Sequence, residues 1–336
     1  MTTLPSYDEL PRRNGLPCAW DVWQADGAAD DVFGCLNLLT EERAAAAARL
    51  VERGATFALN WSMRNPDPPL FERASFEHTV VGRPTGVSQD DLLDHWNTQS
   101  SSQWDGFRHV RHPAAADDAT GSTGHFGGGP DDRHGVDHWA RRGIVGRGVL
   151  ADVGRWRAAE GRPLVYDRSD PVTGDELRAC LAAQGTEVRA GDILLVHFGW
   201  IDWYERQDEA VRHRLAERTG LATPGFDPTE DTARTLWNLH IAALGCDNPA
   251  VEVWPPGAHL TQDHRDAIRA DPMRIHESFV HTILLPMLGL PLGEMFDLTA
   301  LAADCASDGR YEFLFTSAPL NLPAGVASPP NALAVK

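Results

Sequence analysis

The sequence predicts an α/β fold. Three observations carry that prediction. Strand-like apolar runs alternate with segments bearing helix caps and helix-favouring residues. The run Asp192–Phe198 (DILLVHF) has the pattern of a buried strand. Apolar residues make up 42% of the chain, with 11 Trp and 12 Phe among them, enough for a sizeable core.

Taken in order, residues 1–36 read as an irregular arm, interrupted by Pro5, Pro11, Gly15 and Pro17. Such an arm is free to wrap a partner subunit. Thr40 then fits a helix N-cap, with Glu41 and Glu42 favourable in the first turn. Ala44–Leu50 favours helix and Gly54 stops it. Ala55–Trp61 reads as a strand. Prolines and charges from Asn65 to Gly86 indicate loop or edge structure. Residues 94–140 are rich in His, Asp, Ser, Gly and Trp with little periodicity, the mark of a functional loop region. Ile144–Val153 ends in the β-rich run VLADV. Thr173, Asp175 and Glu176 form a capping-box pattern for a helix to Gln184, closed by Gly185. Asp231–Leu244 reads as a helix with Ala233, Leu236, Trp237, His240, Ile241 and Leu244 on one face. Ser278–Leu288 is expected to be helical, ended or kinked by Pro286. Glu312–Thr316 is a short strand before a Pro-rich tail. No internal repeat or linker is evident, so residues 1–336 are expected to form a single domain.

Charge narrows the function. The chain carries 48 acidic and 30 basic residues, a net charge of −18. Phosphate backbones and anionic bilayers need a basic face, so nucleic-acid and membrane partners are disfavoured. Cys18, Cys35, Cys180, Cys246 and Cys305 are odd in number, far apart and without a CxxC pair. They are expected to be buried thiols in a reducing compartment. The start MTTLPSYDELPRR lacks the apolar core of a signal peptide. Thr282–Leu292, the most apolar stretch, is too short to span a bilayer. A cytoplasmic, soluble protein is expected.

Several familiar motifs fail on context. Gly146-x-Gly148-x-x-Ala151 spells a dinucleotide fingerprint, but a strand follows where a helix is required. Gly127–Gly129 lacks the Lys-Ser/Thr of a phosphate loop. His276-Glu277 and His281 nearly spell HExxH. Their histidines are five residues apart, about 140° around a helix, and do not share a face. No GxSxG elbow occurs.

The segment Asn97-Thr-Gln-Ser-Ser-Ser-Gln-Trp-Asp-Gly-Phe-Arg-His109 differs in kind. If extended, it projects Gln99, Gln103, Asp105 and His109 to one side. Two amides, a carboxylate and an imidazole would then share a face. A polar loop bonding to itself remains the alternative from spacing alone.

This segment resembles the metal motif His-x-Gly-Thr-His-x-Asp-x-x-x-His of the cyclase family, which includes bacterial kynurenine formamidase and isatin hydrolase. The frame falls on Gln99, Gln103, Asp105 and His109. Further pieces follow in family order: Gly135–Val153 entering a core strand, Gly191-Asp-Ile-Leu-Leu-Val196, His281-Thr-Ile-Leu-Leu285, Gly293-Glu294, and the ending Ser317–Asn331 of a long-chain branch. The resemblance implies a swivelling β/β/α domain with mixed sheets and flanking helices, assembled as a homodimer or homotetramer. It implies a divalent metal held by Asp105, His281 and Glu294, with Gln99 or Gln103, and His109 beside it in proton transfer. An unperturbed imidazole titrates near neutral pH, which suits that role.

This chain departs from the motif by carrying glutamine at both first histidine positions. Amide oxygen is a weaker, harder donor than imidazole, so Mn²⁺ or Mg²⁺ is expected over Zn²⁺. The other possibility is that no metal binds and the glutamines bond substrate. Trp104, Phe107 and Trp61 are candidate substrate contacts, although alternation with Gln103 and Asp105 points Trp104 to the core. His112 would support the site. His125, His134 and His138 are loop histidines, and His197 and His240 are core histidines. The implied activity is a hydrolase opening a cyclic amide or lactone, or cleaving an aryl formamide. Two alternatives stand beside it: a metal-free cyclase, isomerase or dehydratase, and a catalytically inert small-ligand-binding protein.

Overall fold

The computed structural model describes residues 4–23, 31–113, 133–258 and 260–336. His125 and Gly127–Gly129 lie outside the described residues. Apart from two short two-residue pairings, Arg12–Arg13 with Leu16–Pro17 and Pro171–Val172 with Gly225–Phe226, the strands are β1 Thr56–Ala58, β2 Glu77–Gly82, β3 Gln89–Asp94, β4 Gln103–Asp105, β5 Ile144–Ala151, β6 Ile193–Val196, β7 Ala243–Cys246, β8 Leu292–Glu294, β9 Glu312–Ser317, β10 Ala327–Ser328 and β11 Ala332–Val335. Among the described residues, nine of them form one sheet in the order β10-β4-β8-β7-β6-β5-β9-β11-β1. The centre, β5-β6-β7-β8, is parallel, and both flanks are antiparallel. Parallel strands need cover on both faces. Every residue of β6 and β7 is accordingly buried. The fold is mixed α/β, as the alternation predicts.

The helices around the sheet are α1 Glu41–Ala48, α2 Asp137–Arg142, α3 Val153–Ala159, α4 Gly174–Ala183, α5 Trp200–Glu205, α6 Glu209–Ala216, α7 Glu230–Asn238, α8 Gln262–Ala270, α9 His281–Leu284 and α10 Thr299–Asp308. Thr40 caps α1 through its side chain, and Thr173 with Glu176 completes the capping box of α4. None of the described helices is long and apolar enough to cross a membrane. The five cysteines are buried and unbridged.

Gly146 and Gly148 lie inside β5, so the GxGxxA spelling carries no phosphate turn. Gly148 serves packing: a Cβ there would sit 2.1 Å from the Phe313 ring on neighbouring β9.

Three expectations are corrected. The helix expected over Asp231–Leu244 stops at Asn238, and Ala243–Cys246 is strand β7. His240 adopts a left-handed φ of 50° there, and its carbonyl accepts from Gly191, leading the chain into the sheet. The helix expected over Ser278–Leu288 contracts to α9, preceded by a 3-10 turn at Pro272–Glu277. The strand expected over Ala55–Trp61 is limited to Thr56–Ala58. The described part of the arm packs on its own chain. Tyr7 donates its N–H to Asn238 at 2.8 Å and Trp237 donates to the Pro5 carbonyl at 2.9 Å, so the start of the arm lies against α7, while Ala19 and Trp20 donate to the carbonyls of Met287 and Pro286.

The Pro-rich region leads into a hairpin, β2 paired with β3, whose residues are all exposed. It displays Val80, Val81, Val87, Leu92 and Leu93.

Candidate metal centre

The pairing register builds the site. Strand β4 runs antiparallel to β8 and sets Gln103 opposite Glu294 and Asp105 opposite Leu292. Period-two alternation turns Gln103 and Asp105 to one face and Trp104 to the other. Gln103 Nε2 donates to Glu294 at 2.6 Å and to Asp105 at 3.3 Å. Only residues 103–105 are extended. Turns on either side, rather than continued alternation, bring in the outer two residues. Gln99 Nε2 lies 2.9 Å from Asp105 Oδ1 and 2.9 Å from His109 Nδ1, and His109 Nε2 is 3.8 Å from Asp105.

His281, the first residue of α9, enters from the other side. Its Nε2 lies 3.2 Å from Glu294 Oε1 and 3.9 Å from Asp105 Oδ2. One donor atom from each of Asp105, His281 and Glu294 falls within 4.8 Å of the others, and all three residues are buried. Phe279 stacks on the imidazole at 4.9 Å.

Sequence reasoning missed Glu252. Its Oε2 meets His281 Nδ1 at 2.6 Å, and it is fully buried. A carboxylate behind one ring nitrogen fixes the tautomer and aims the other nitrogen inward, an arrangement common behind metal-binding histidines. A signal was present: a lone acid inside the apolar run Ala250-Val-Glu-Val-Trp254 must find a buried partner.

Electrostatics in the cluster reflect crowded carboxylates. Burial, then the neighbouring Asp105 charge, raises the Glu294 carboxyl to about 7. Burial works to lower the His281 pKa, but Glu252 and Glu294 outweigh it and hold the ring well above its ordinary value. Burial lowers the pKa of His109, against the pull of Asp105, so this imidazole is neutral at pH 7.

The donor set fits a divalent cation. Asp105 Oδ2 is buried without a hydrogen-bond partner, as is Gln103 Oε1. Buried lone pairs left bare are unfavourable unless something meets them. A half-turn of the Gln103 amide would point its oxygen at the cluster as a further ligand. Binding would require His281 to release a proton, which metal ligation commonly does.

The proposed aromatic contacts are placed elsewhere. Trp104 is fully buried on the opposite face, 4.9 Å from Phe296, and donates to Ser317. Phe107 is fully buried against Trp139 at 5.1 Å. Both are core residues, a correction to their reading as substrate contacts. Trp61 is tied down by its indole N–H to Glu205 and packs on Trp200 and Tyr204; its backbone N–H donates to Ser102. It therefore anchors the site segment rather than facing a ligand. His112 sits 3.2 Å from His276, and His197 bonds Asp152 at 2.8 Å. His134 is buried, not an exposed loop residue.

Residues 50–253 match the family described as "Putative cyclase". No curated protein matches the chain. A solved structure described as a novel cyclase superposes with a TM-score of 0.74 at 28% identity, covering 95% of this chain and 99% of the other. Isatin hydrolase A from Ralstonia solanacearum gives 0.58 at 16% identity over 89% and 98%. Isatin hydrolase A from Labrenzia aggregata, bound to benzyl benzoate, gives 0.55 at 15% identity over 86% and 94%. These last two likenesses speak to the fold. The family match covers more than half of the sequence; this chain belongs to the cyclase family.

Proposed function

We propose that this protein is a metal-assisted hydrolase acting on a cyclic amide, a lactone or an aryl formamide. The observation that carries the reading is the buried Asp105–His281–Glu294 cluster, with Glu252 behind His281 and His109 beside Asp105. Family membership, and the fold shared with the isatin hydrolases, support the reaction class.

Asp105, His281 and Glu294 would hold the cation, with Gln103 turned to add its oxygen. Bound there, a divalent ion supplies Lewis-acid polarisation of a carbonyl and acidifies water. The oxygen-rich donor set favours Mn²⁺ or Mg²⁺. His109 is neutral and its side chain is 26% exposed, so it is both able to accept a proton and reachable. It takes a proton from the attacking water on a ring nitrogen and returns it to the leaving nitrogen or oxygen. Gln99, bonded to both Asp105 and His109, orients the ring. Glu252 holds His281 with Nε2 facing the cluster.

The glutamines favour a second reading. Their amide N–H groups already donate to Asp105 Oδ1 and to Glu294, so these carboxylates have hydrogen-bond support without a cation. On that reading the protein is a metal-free cyclase, isomerase or dehydratase. Elemental analysis of untagged protein, followed by assays on formamides, lactams and lactones with and without chelator, separates the two. Stoichiometric metal with chelator-sensitive hydrolysis supports the first. Metal-free protein with undiminished turnover rejects it.

A further inference from the structure

Arg73 has no role in the proton-transfer scheme, yet its placement is specific. Its Nη1 donates to the backbone carbonyl of Gln99, the residue whose side chain touches both Asp105 and His109. Its guanidinium carbon lies 4.9 Å from the centre of the Phe71 ring, which in turn packs edge-on against Trp254 at 5.0 Å. A guanidinium on an aromatic face is oriented by stacking and its fork stays presented.

The backbone is bent to put it there. Phe71 and Glu72 adopt φ of 60° and 57°, consecutive left-handed residues that are not glycine. Such strain persists where the surroundings over-determine it, and it clusters at ligand sites. Arg73 forms no ion pair with a carboxylate among the described residues, and one of its five N–H donors is accounted for by Gln99. Its charge acts on His109 and Glu294. The other cation acting on both, His281, is held by Glu252. Asp105, Glu252 and Glu294 outnumber the charge of one divalent cation by one when His281 is neutral. Arg73 offsets that remainder in formal charge, in a chain of net charge −18.

We infer that Arg73 is the anion receptor of this site and that the substrate carries a carboxylate beside the bond to be cleaved. The inference rests on the hydrolase reading and names its substrate class. Arg is suited to the task because its planar fork pairs bidentately with a carboxylate.

Calorimetric titration of the purified, metal-replete protein with benzoate and with benzamide, its neutral counterpart, tests this without turnover. Benzoate is expected to bind at least about 10-fold more tightly than benzamide. Arg73→Gln should weaken benzoate by about 10- to 100-fold, leave benzamide unchanged and keep its metal content, and Arg73→Lys should recover part of the loss. Equal binding of the two probes by the intact protein overturns the inference, with no variant needed. So does unchanged benzoate affinity in Arg73→Gln. If Arg73→Gln loses its metal along with benzoate, Arg73 serves the carboxylates and the inference also falls. A protein that discriminates the probes yet hydrolyses nothing rejects the hydrolase reading and leaves the anion receptor standing.

Discussion

Replacing Glu294 by glutamine should stabilise the metal-free protein at alkaline pH, at the expense of the metal site. Glu294 is held at about 7 against an ordinary 4.5, because it is buried beside Asp105. A carboxyl with a raised pKa binds its proton more tightly in the folded chain. Its contribution is therefore fully present below about 4.5 and is lost as pH rises through about 7. Each pH unit in that window is worth about 1.4 kcal/mol, so by pH 8 the loss approaches about 3 kcal/mol. Glutamine does not ionise, and its oxygen still accepts from Gln103, which donates to Glu294 at 2.6 Å. Urea denaturation in excess chelator should then show Glu294→Gln more stable than the parent by up to about 3 kcal/mol at pH 8, the gap falling below about 1 kcal/mol at pH 5. Added metal should reverse the order at pH 8, since a ligand stabilises only the protein that binds it. A variant no more stable than the parent at pH 8 in chelator, or a gap that ignores pH, would refute the reasoning.

Glu252→Gln keeps the shape behind His281 but removes the charge; metal affinity measured against a chelating indicator should fall about 10- to 100-fold, and unchanged affinity would rule out the orienting role. His109→Ala should keep the parent circular-dichroism spectrum and lose at least about 10² in kcat on the substrate found; full activity removes His109 from proton transfer. Gln103→His places an imidazole opposite Glu294, and competition dialysis should show Zn²⁺ gaining on Mn²⁺ relative to the parent, whereas an unchanged ratio would show that position 103 does not set metal preference.

Local signals were legible in the sequence and non-local ones were not. Thr40 and Thr173 announced α1 and α4 because a cap is made by a side chain within its own turn. Strand β6 was legible because a strand buried on both faces is continuously apolar. The same rule hid β7. Ala242-Ala243-Leu244 favours helix by propensity, but pairing with β6 on one side and β8 on the other overrides it. The hairpin β2–β3 escaped for the opposite reason. Both of its faces are exposed, so the one-sided alternation that marks a strand never arises.

The site divides along the same line. The spacing of Gln99, Gln103, Asp105 and His109 marked residues that do converge, although turns, not a long extended strand, accomplish it. Glu252, 29 residues from His281 in sequence, becomes part of the cluster by tertiary packing alone. Its presence sharpens the case for a cation. Asp105, Glu252 and Glu294 are buried carboxylates, and His281 is the titratable base buried with them, beside the neutral amide of Gln103. Buried like charges are strongly unfavourable unless balanced. Without a cation, His281 is held well above its ordinary pKa and Glu294 is raised to about 7, and Asp105 Oδ2 is buried without a hydrogen-bond partner. A divalent ion at the same position would relieve all three at once: it meets the bare oxygen, ionises Glu294 without repulsion, and takes the lone pair that His281 Nε2 exposes when its proton leaves. That one cation would answer three separate strains is the physical argument for the metal-assisted reading over the metal-free one.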